Sequence, residues 1–197
     1  MKNIILSILL VITNLYVFAI DPHTDHVQVD TKSSIVKWKG SKVAEFHEGM
    51  INIFSGELLI KHGVFVGGQI VLDMHSITNT DVESEKYRSK LENHLKSTDF
   101  FDVDQFPKSE LMITQVIHTK GSEYTIIADL TIKGKTHPIE FYADVQIKES
   151  GFIAQAKIKI DRTKWDVVYN SGNFFKDLGD YLILDEIEFD VLLLSVE

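Results

Sequence analysis

The chain is 197 residues long, 44% hydrophobic, 25% charged and 10% aromatic, with a formal net charge of −9. These proportions exclude a disordered or multi-span membrane protein and fit one domain. The acidic balance argues against nucleic acid as a partner, and the absence of cysteine removes disulfides, thiolate metal sites and cysteine nucleophiles together.

Met1-Lys2-Asn3 carries one positive charge, and Ile4 to Ile20 is apolar apart from Ser7, Thr13 and Asn14. Val17-Phe18-Ala19 then supplies small residues at the positions a signal peptidase reads. This order predicts a signal peptide over 1–19 and a single mature domain over 20–197, periplasmic or secreted. An uncleaved anchor is the competing reading, because about 17 apolar residues lie at the lower edge of spanning length. The polar breaks favour cleavage, which leaves no stable membrane span. Without Lys2 the mature chain carries 19 basic and 29 acidic side chains, a net charge of −10.

Period-two patterning dominates the remainder. Eight strands are predicted: Ser34–Lys42, Gly49–Ile60, Phe65–His75, Ser109–Thr119, Glu123–Lys133, Thr136–Lys148, Phe152–Arg162 and Tyr181–Leu194. Lys61-His62-Gly63, Lys120-Gly121-Ser122 and Glu149-Ser150-Gly151 read as hairpin turns, and Gly67-Gly68 as a bulge or a close backbone approach. Between the third and fourth strands Thr80-Asp81-Val82-Glu83 reads as a capping box. Tyr87, Leu91, His94 and Leu95 then share one helical face, which predicts a helix over about 81–96.

Strands this long make a wide sheet with one apolar face, and a helix of about 14 residues, ~21 Å, cannot cover it. The sheet must cover itself, either as a closed barrel or as a sandwich. Short turns and uninterrupted strands favour an all-β, eight-stranded antiparallel lipocalin-like barrel.

Alternation assigns an interior. Tyr124, Ile126, Ala128 and Leu130 share one face of their strand, as do Phe141, Ala143 and Val145 on the next. Phe152, Ala154, Ala156 and Ile158 follow, then Ile187, Phe189 and Val191. Apart from Asp185 this face is nearly free of ionisable groups. Alanines on neighbouring strands favour an open apolar lumen; the alternative is a lumen filled by Phe141, Phe152, Phe189 and Tyr124.

The eight histidines are scattered without metal-ligand spacing, so no metal is expected. No nucleophile elbow, phosphate loop, dinucleotide fingerprint or HExxH motif occurs, so the chain is expected to be no enzyme and to hold no cofactor. Aromatic connections at 95–107 and 162–175 read as plugs for the barrel ends. Alternatively they form the mouth of a lipid pocket, with His94, Arg162 and Trp165 near a polar head group. Three functions stay open: an exported carrier or sequestering protein for a lipid, a filled barrel that binds a protein partner, and a head-group hydrolase or isomerase using His94 with Asp99. A homodimer is compatible with each.

From Val27 to about Leu194 the chain resembles the YceI-like family of secreted, polyisoprenoid-binding lipocalin-type barrels. The resemblance is carried by Asp30-Thr31-Lys32-Ser33-Ser34, Ser76-Ile77, His94 to Asp102 with Phe106-Pro107, Asp129 to Gly134, and Ile160-Asp161-Arg162. The first of these precedes the first strand, and the third is the most specific. The resemblance implies a flattened barrel with a helix alongside and an isoprenoid-type lipid in its lumen. Two departures stand out: Ala128 where many relatives have Gly, and an aromatic stretch between Arg162 and Asp185 longer than in simpler members.

Overall fold

The computed structural model describes residues 23–196, so the expected signal peptide lies outside the described residues. Eleven strands form one antiparallel sheet: β1 (Thr24–Gln28), β2 (Ile35–Lys42), β3 (Phe46–Met50), β4 (Ile53–Lys61), β5 (Val64–Asp73), β6 (Thr78–Asn79), β7 (Lys108–Lys120), β8 (Glu123–Ile132), β9 (Lys135–Lys148), β10 (Gly151–Asp161) and β11 (Ile183–Leu194). Among the described residues a single α-helix, α1 (Glu85–Lys96), lies between β6 and β7. No helix among the described residues is long and apolar enough to cross a membrane.

The strand order is β1-β4-β5-β7-β8-β9-β10-β11-β2-β3-β6, a curled half-barrel and not a closed ring of eight. Eight of the strands have eight residues or more. The extra three are the short β1, β3 and β6. The stretch expected as one strand from Gly49 to Ile60 breaks at Ile51-Asn52. There the Ile51 amide turns to the Val36 carbonyl and the Asn52 amide to the Ser76 hydroxyl, so the chain passes from one side of the curl to the other.

Two seams hold the curl, both at the same end. At one, the Val29–Ser195 bridge joins the residues after β1 and β11, and the Asp30 amide donates to the Leu194 carbonyl. At the other, β9 and β10 pair from Gly151–Lys148 as far as Ala156–Ala143 and no further. Beyond that point each keeps only its outer neighbour: β9 pairs β8 down to Lys135, and β10 pairs β11 up to Asp161. The walls therefore meet at one end and diverge toward the other, where α1 and residues 162–182 sit.

The helix begins at Glu85, not 81, because the residues before it are already committed to β3. The Thr80 amide donates to the Glu48 carbonyl, and Asp81 accepts the Glu48 amide at 2.8 Å. The expected capping box therefore does not form, and Ser84 at the N-cap makes no side-chain bond. Leu95 is buried against Met74, Ile77 and Phe100, whereas Tyr87, expected on the packed face, is 64% exposed.

The β4–β5 register slips at Val66, next to Gly67-Gly68, and a Cβ on Gly68 would lie 2.4 Å from the Glu57 carbonyl oxygen. Gly68 also has φ +155°, a region open essentially to glycine. Gly68→Ala should therefore destabilise the fold by about 2–4 kcal/mol, read as a shifted denaturant midpoint with an unchanged m-value.

Candidate functional site

The inner face of the curl encloses a cavity of about 390 Å³. Its origin is a cross-strand row. Tyr124, Ala143, Ala156, Val191 and Val36 stand directly opposite one another on β8, β9, β10, β11 and β2. Opposed residues on one face have Cβ atoms only about 4.5–5.5 Å apart. Two methyl groups and two isopropyl groups in succession leave the space above them unfilled.

Eleven of the fourteen residues assigned to the lumen line this cavity: Ile126 and Leu130; Phe141, Ala143 and Val145; Ala154, Ala156 and Ile158; Ile187, Phe189 and Val191. The other three do not. Phe152 and Ala128 are buried in the packed core, and Tyr124 meets Phe65 edge-on at 5.6 Å toward the closed end. They share the inward face, but core side chains cover them. Alternation gave the face correctly but not the depth. Alternation along β8–β11 also missed the opposite wall and the rim. Trp38 and Gly40 on β2, His47 on β3, Leu111 on β7 and Tyr169 also line the cavity. The period-two run Val36-Trp38-Gly40 carried a signal for part of this wall. His47 had none until its register opposite Gly40 was known.

Of the three expected head-group residues, His94 and Arg162 line the cavity and Trp165 does not. Trp165 is 1% exposed; its indole donates to the Leu130 carbonyl at 2.9 Å and it packs with Ile132 and Ile160. Its ring also meets the edge of His137 on β9 at 5.3 Å. It fills the divergence between β9 and β10 and is a plug.

The Arg162 guanidinium is spent on its own chain. It donates to the carbonyls of Val167 at 2.6 Å, Ile183 at 3.0 Å and Leu184 at 3.1 Å, and to the Asp185 carboxylate at 3.3 Å. Burial pulls its pKa down, while Asp185 and Asp161 push it back up. Asp185, the acid that alternation places on the inner face, is thereby paired with a cation. His94 keeps a carboxylate partner, Asp99, at 3.0 Å, and packs edge-on against Phe100 and Tyr169.

Lys42, His47, His94, Arg162 and Asn170 line the cavity away from the β9–β10 seam, and Gln155 lines it at the seam. Among the described residues no group of three or more His, Asp or Glu is placed to hold a metal. An apolar cavity within the usual ~300–1,000 Å³ range of ligand pockets, with a few polar groups at one end, suits an elongated amphiphile. A hollow lined this way binds apolar guests in preference to ordered water.

The model of the YceI-like domain matches residues 19–193. The chain belongs to the YceI-like domain family. Among curated proteins it is 29% identical over 96 residues to a UPF0312 protein of Photorhabdus laumondii, covering 45% of each chain. It is 25% identical over 129 residues to a UPF0312 protein of Vibrio vulnificus, covering 64% of this chain and 61% of that one. The chain thus spans about half to three-fifths of the length of these relatives.

Among solved structures, BcnA of Burkholderia cenocepacia superposes with a TM-score of 0.68 at 20% identity, over 84% of this chain and 98% of that one. A polyisoprenoid binding domain from Saccharophagus degradans, implicated in plant cell wall breakdown, gives 0.63 at 14% identity, over 87% and 96%. The YCEI protein of Campylobacter jejuni gives 0.53 at 16% identity, over 100% and 99%. At these identities the likeness is one of fold.

Arg162→Ala should cost about 3–5 kcal/mol, because three carbonyls and a carboxylate lose their donor together, and Arg162→Lys should not restore it, since an ammonium lacks the planar fork. Thermal melts of the two variants read this out. Asp81 yields a second expectation. Burial opposes its charge, but the Glu48 amide, the His47 ring and the Asn79 amide outweigh that and hold its pKa below the ordinary value of 3.8. A depressed folded-state pKa adds stability that is present above 3.8 and is lost as pH falls through the folded value. Asp81→Asn should therefore be less stable than the parent at pH 6, with the gap narrowing below about pH 4 in denaturant titrations.

Proposed function

We propose that the protein is an exported, non-catalytic carrier or sequestering protein that holds an isoprenoid-type lipid in its lumen. The observation that carries this reading is the apolar cavity, walled in large part by side chains of β8–β11, with His47, His94 and Arg162 among the few polar residues that line it. Burial of an apolar chain drives such binding at ~25 cal/mol per Å² before ordering costs. A prenyl chain, methyl-branched and flexible, matches walls built of Ile, Leu, Val and Phe.

The polyisoprenoid binding of the S. degradans domain, on the same fold, supports this ligand class over a straight-chain fatty acid. Membership of the YceI-like family and the segment at 1–19 support export to the periplasm or beyond. In this reading residues 20–197 act as one domain. The alternative of a filled barrel that binds a protein partner is disfavoured by the row of small side chains, which keeps the middle of the curl empty.

Ala154→Phe and Ala156→Phe should each lower lipid uptake at least tenfold while the protein still melts cooperatively, since both side chains border empty space. Native mass spectrometry of protein purified from its own host reports the bound lipid directly. A chain that stays empty when offered prenyl lipids, or an Ala156→Phe variant that loads as well as the parent, would remove the lumen as the binding site.

A further inference from the structure

The open end of the cavity holds a second histidine built more deliberately than His94. His47 lies on β3 directly opposite Gly40 of β2, and both line the cavity. Its Nδ1 is 2.8 Å from the Asp81 carboxylate. That carboxylate is itself fixed: it accepts the Glu48 amide at 2.8 Å and the Asn79 side-chain amide. Asn79 is 4% exposed, and its side-chain amide also donates to the Glu48 carbonyl, while its side-chain oxygen accepts the Val82 amide. The Asn79 main-chain amide in turn donates to Glu92 on α1 at 2.8 Å. An ionised carboxylate only accepts, so Nδ1 carries a proton. In the neutral ring Nε2 is then an acceptor, and it has no protein partner among the described residues.

The space beside this nitrogen is equally specific. A Cβ on Gly40 would meet nothing within 4 Å, and the position needs no left-handed backbone. Gly40 is flanked across the sheet by His47 on one side and Ile187 on the other. A side chain there would fill the chamber next to the imidazole. The two cations that line the cavity are already committed, Lys42 to Glu45 at 2.6 Å and Arg162 to backbone carbonyls. Among the described residues that line the cavity, neither Lys42 nor Arg162 offers a phosphate or diphosphate an unpaired cation.

We propose that His47, oriented by Asp81 and given room by Gly40, is the head-group seat of the lumen, and that it selects a neutral hydroxyl-bearing head group, an isoprenoid alcohol or phenol, over a phosphorylated one. This rests on the lumen reading above. The hydroxyl donates to Nε2 while its chain runs inward past Ile187 and Phe189.

The test titrates the lipid-free mature protein with farnesol, with the hydrocarbon farnesene, and with farnesyl diphosphate. Farnesol should bind about tenfold tighter than farnesene, the upper part of the range for one net hydrogen bond, and tighter than the diphosphate. In His47→Phe the farnesol-to-farnesene ratio should fall to near one, and Gly40→Val should reduce farnesol affinity several-fold. In the parent protein, the His47 Nε2 resonance should move with farnesol and stay in place with farnesene, a readout independent of whether the variants fold. Equal binding of alcohol and hydrocarbon, an unmoved Nε2 resonance, or a diphosphate that binds tightest would each overturn the head-group seat while leaving the lumen intact. Failure of all three probes to bind would overturn the lumen itself.

Discussion

The whole molecule depends on where backbone pairing between β9 and β10 stops. Up to Ala143–Ala156 the two strands are joined, and beyond it each serves a different wall. A ladder continued to Asp161 would draw the walls together and set Ile158 opposite Phe141 and Ile160 opposite Ile139 across a flat sheet. Instead the sheet curls, closed at one end by this seam and by the Val29–Ser195 bridge, and the cavity occupies the wedge between. The row of small residues that runs from Ala143 to Val36 lies at the very position where the wedge begins. Narrow side chains at the hinge and broad ones on the diverging walls are what keep the space from collapsing.

Divergence creates a second requirement, because the parted ends of β9 and β10 would expose unpaired edges and apolar side chains. The segment after β10 answers it. Trp165 fills the gap against Ile132, Ile160 and His137, and Arg162 gathers the carbonyls of Val167, Ile183 and Leu184 into one cluster. These two residues resembled ligand contacts because a buried cation and an indole near a pocket mouth are common in binding sites. Here their polar atoms are consumed by the main chain they organise. Asp166, in a left-handed conformation directly after Trp165, extends the same closure outward through its ion pair with Lys135.

Much of this was legible in the sequence, for definite physical reasons. Period-two alternation located the long strands and the inward face of β8–β11, and Gly67-Gly68 announced a close approach that the structure places at the Glu57 carbonyl. Alternation has no access to tertiary depth, so it could not separate Ala156, which borders the cavity, from Ala128, which is covered completely. Nor could it see the break at Ile51-Asn52 or the short β3 and β6. Their pairing partners lie at opposite ends of a connection, and no local pattern specifies a two-residue strand. The helix start was misplaced for the same reason. Thr80 and Asp81 have the residue types of a cap, but Glu48, more than thirty positions away, claims their hydrogen bonds first.

The distribution of polarity follows from the cost of burial. An unpaired polar atom deep in an apolar lumen costs a few kcal/mol, so polar groups that face the cavity must be either satisfied internally or placed where solvent or a head group can reach them. Asp185 meets the first condition through Arg162 and Asn173. His47 and His94 meet the second, each with one nitrogen held by a carboxylate and the ring at the open end. In the proposed carrier role, the apolar walls would leave chain selection to the shape of the wedge and chemical selection to the few polar atoms that line it. Rim residues such as His47 and His94 take no part in the β9–β10 ladder, so a change among them would alter head-group preference without disturbing the seam that shapes the cavity.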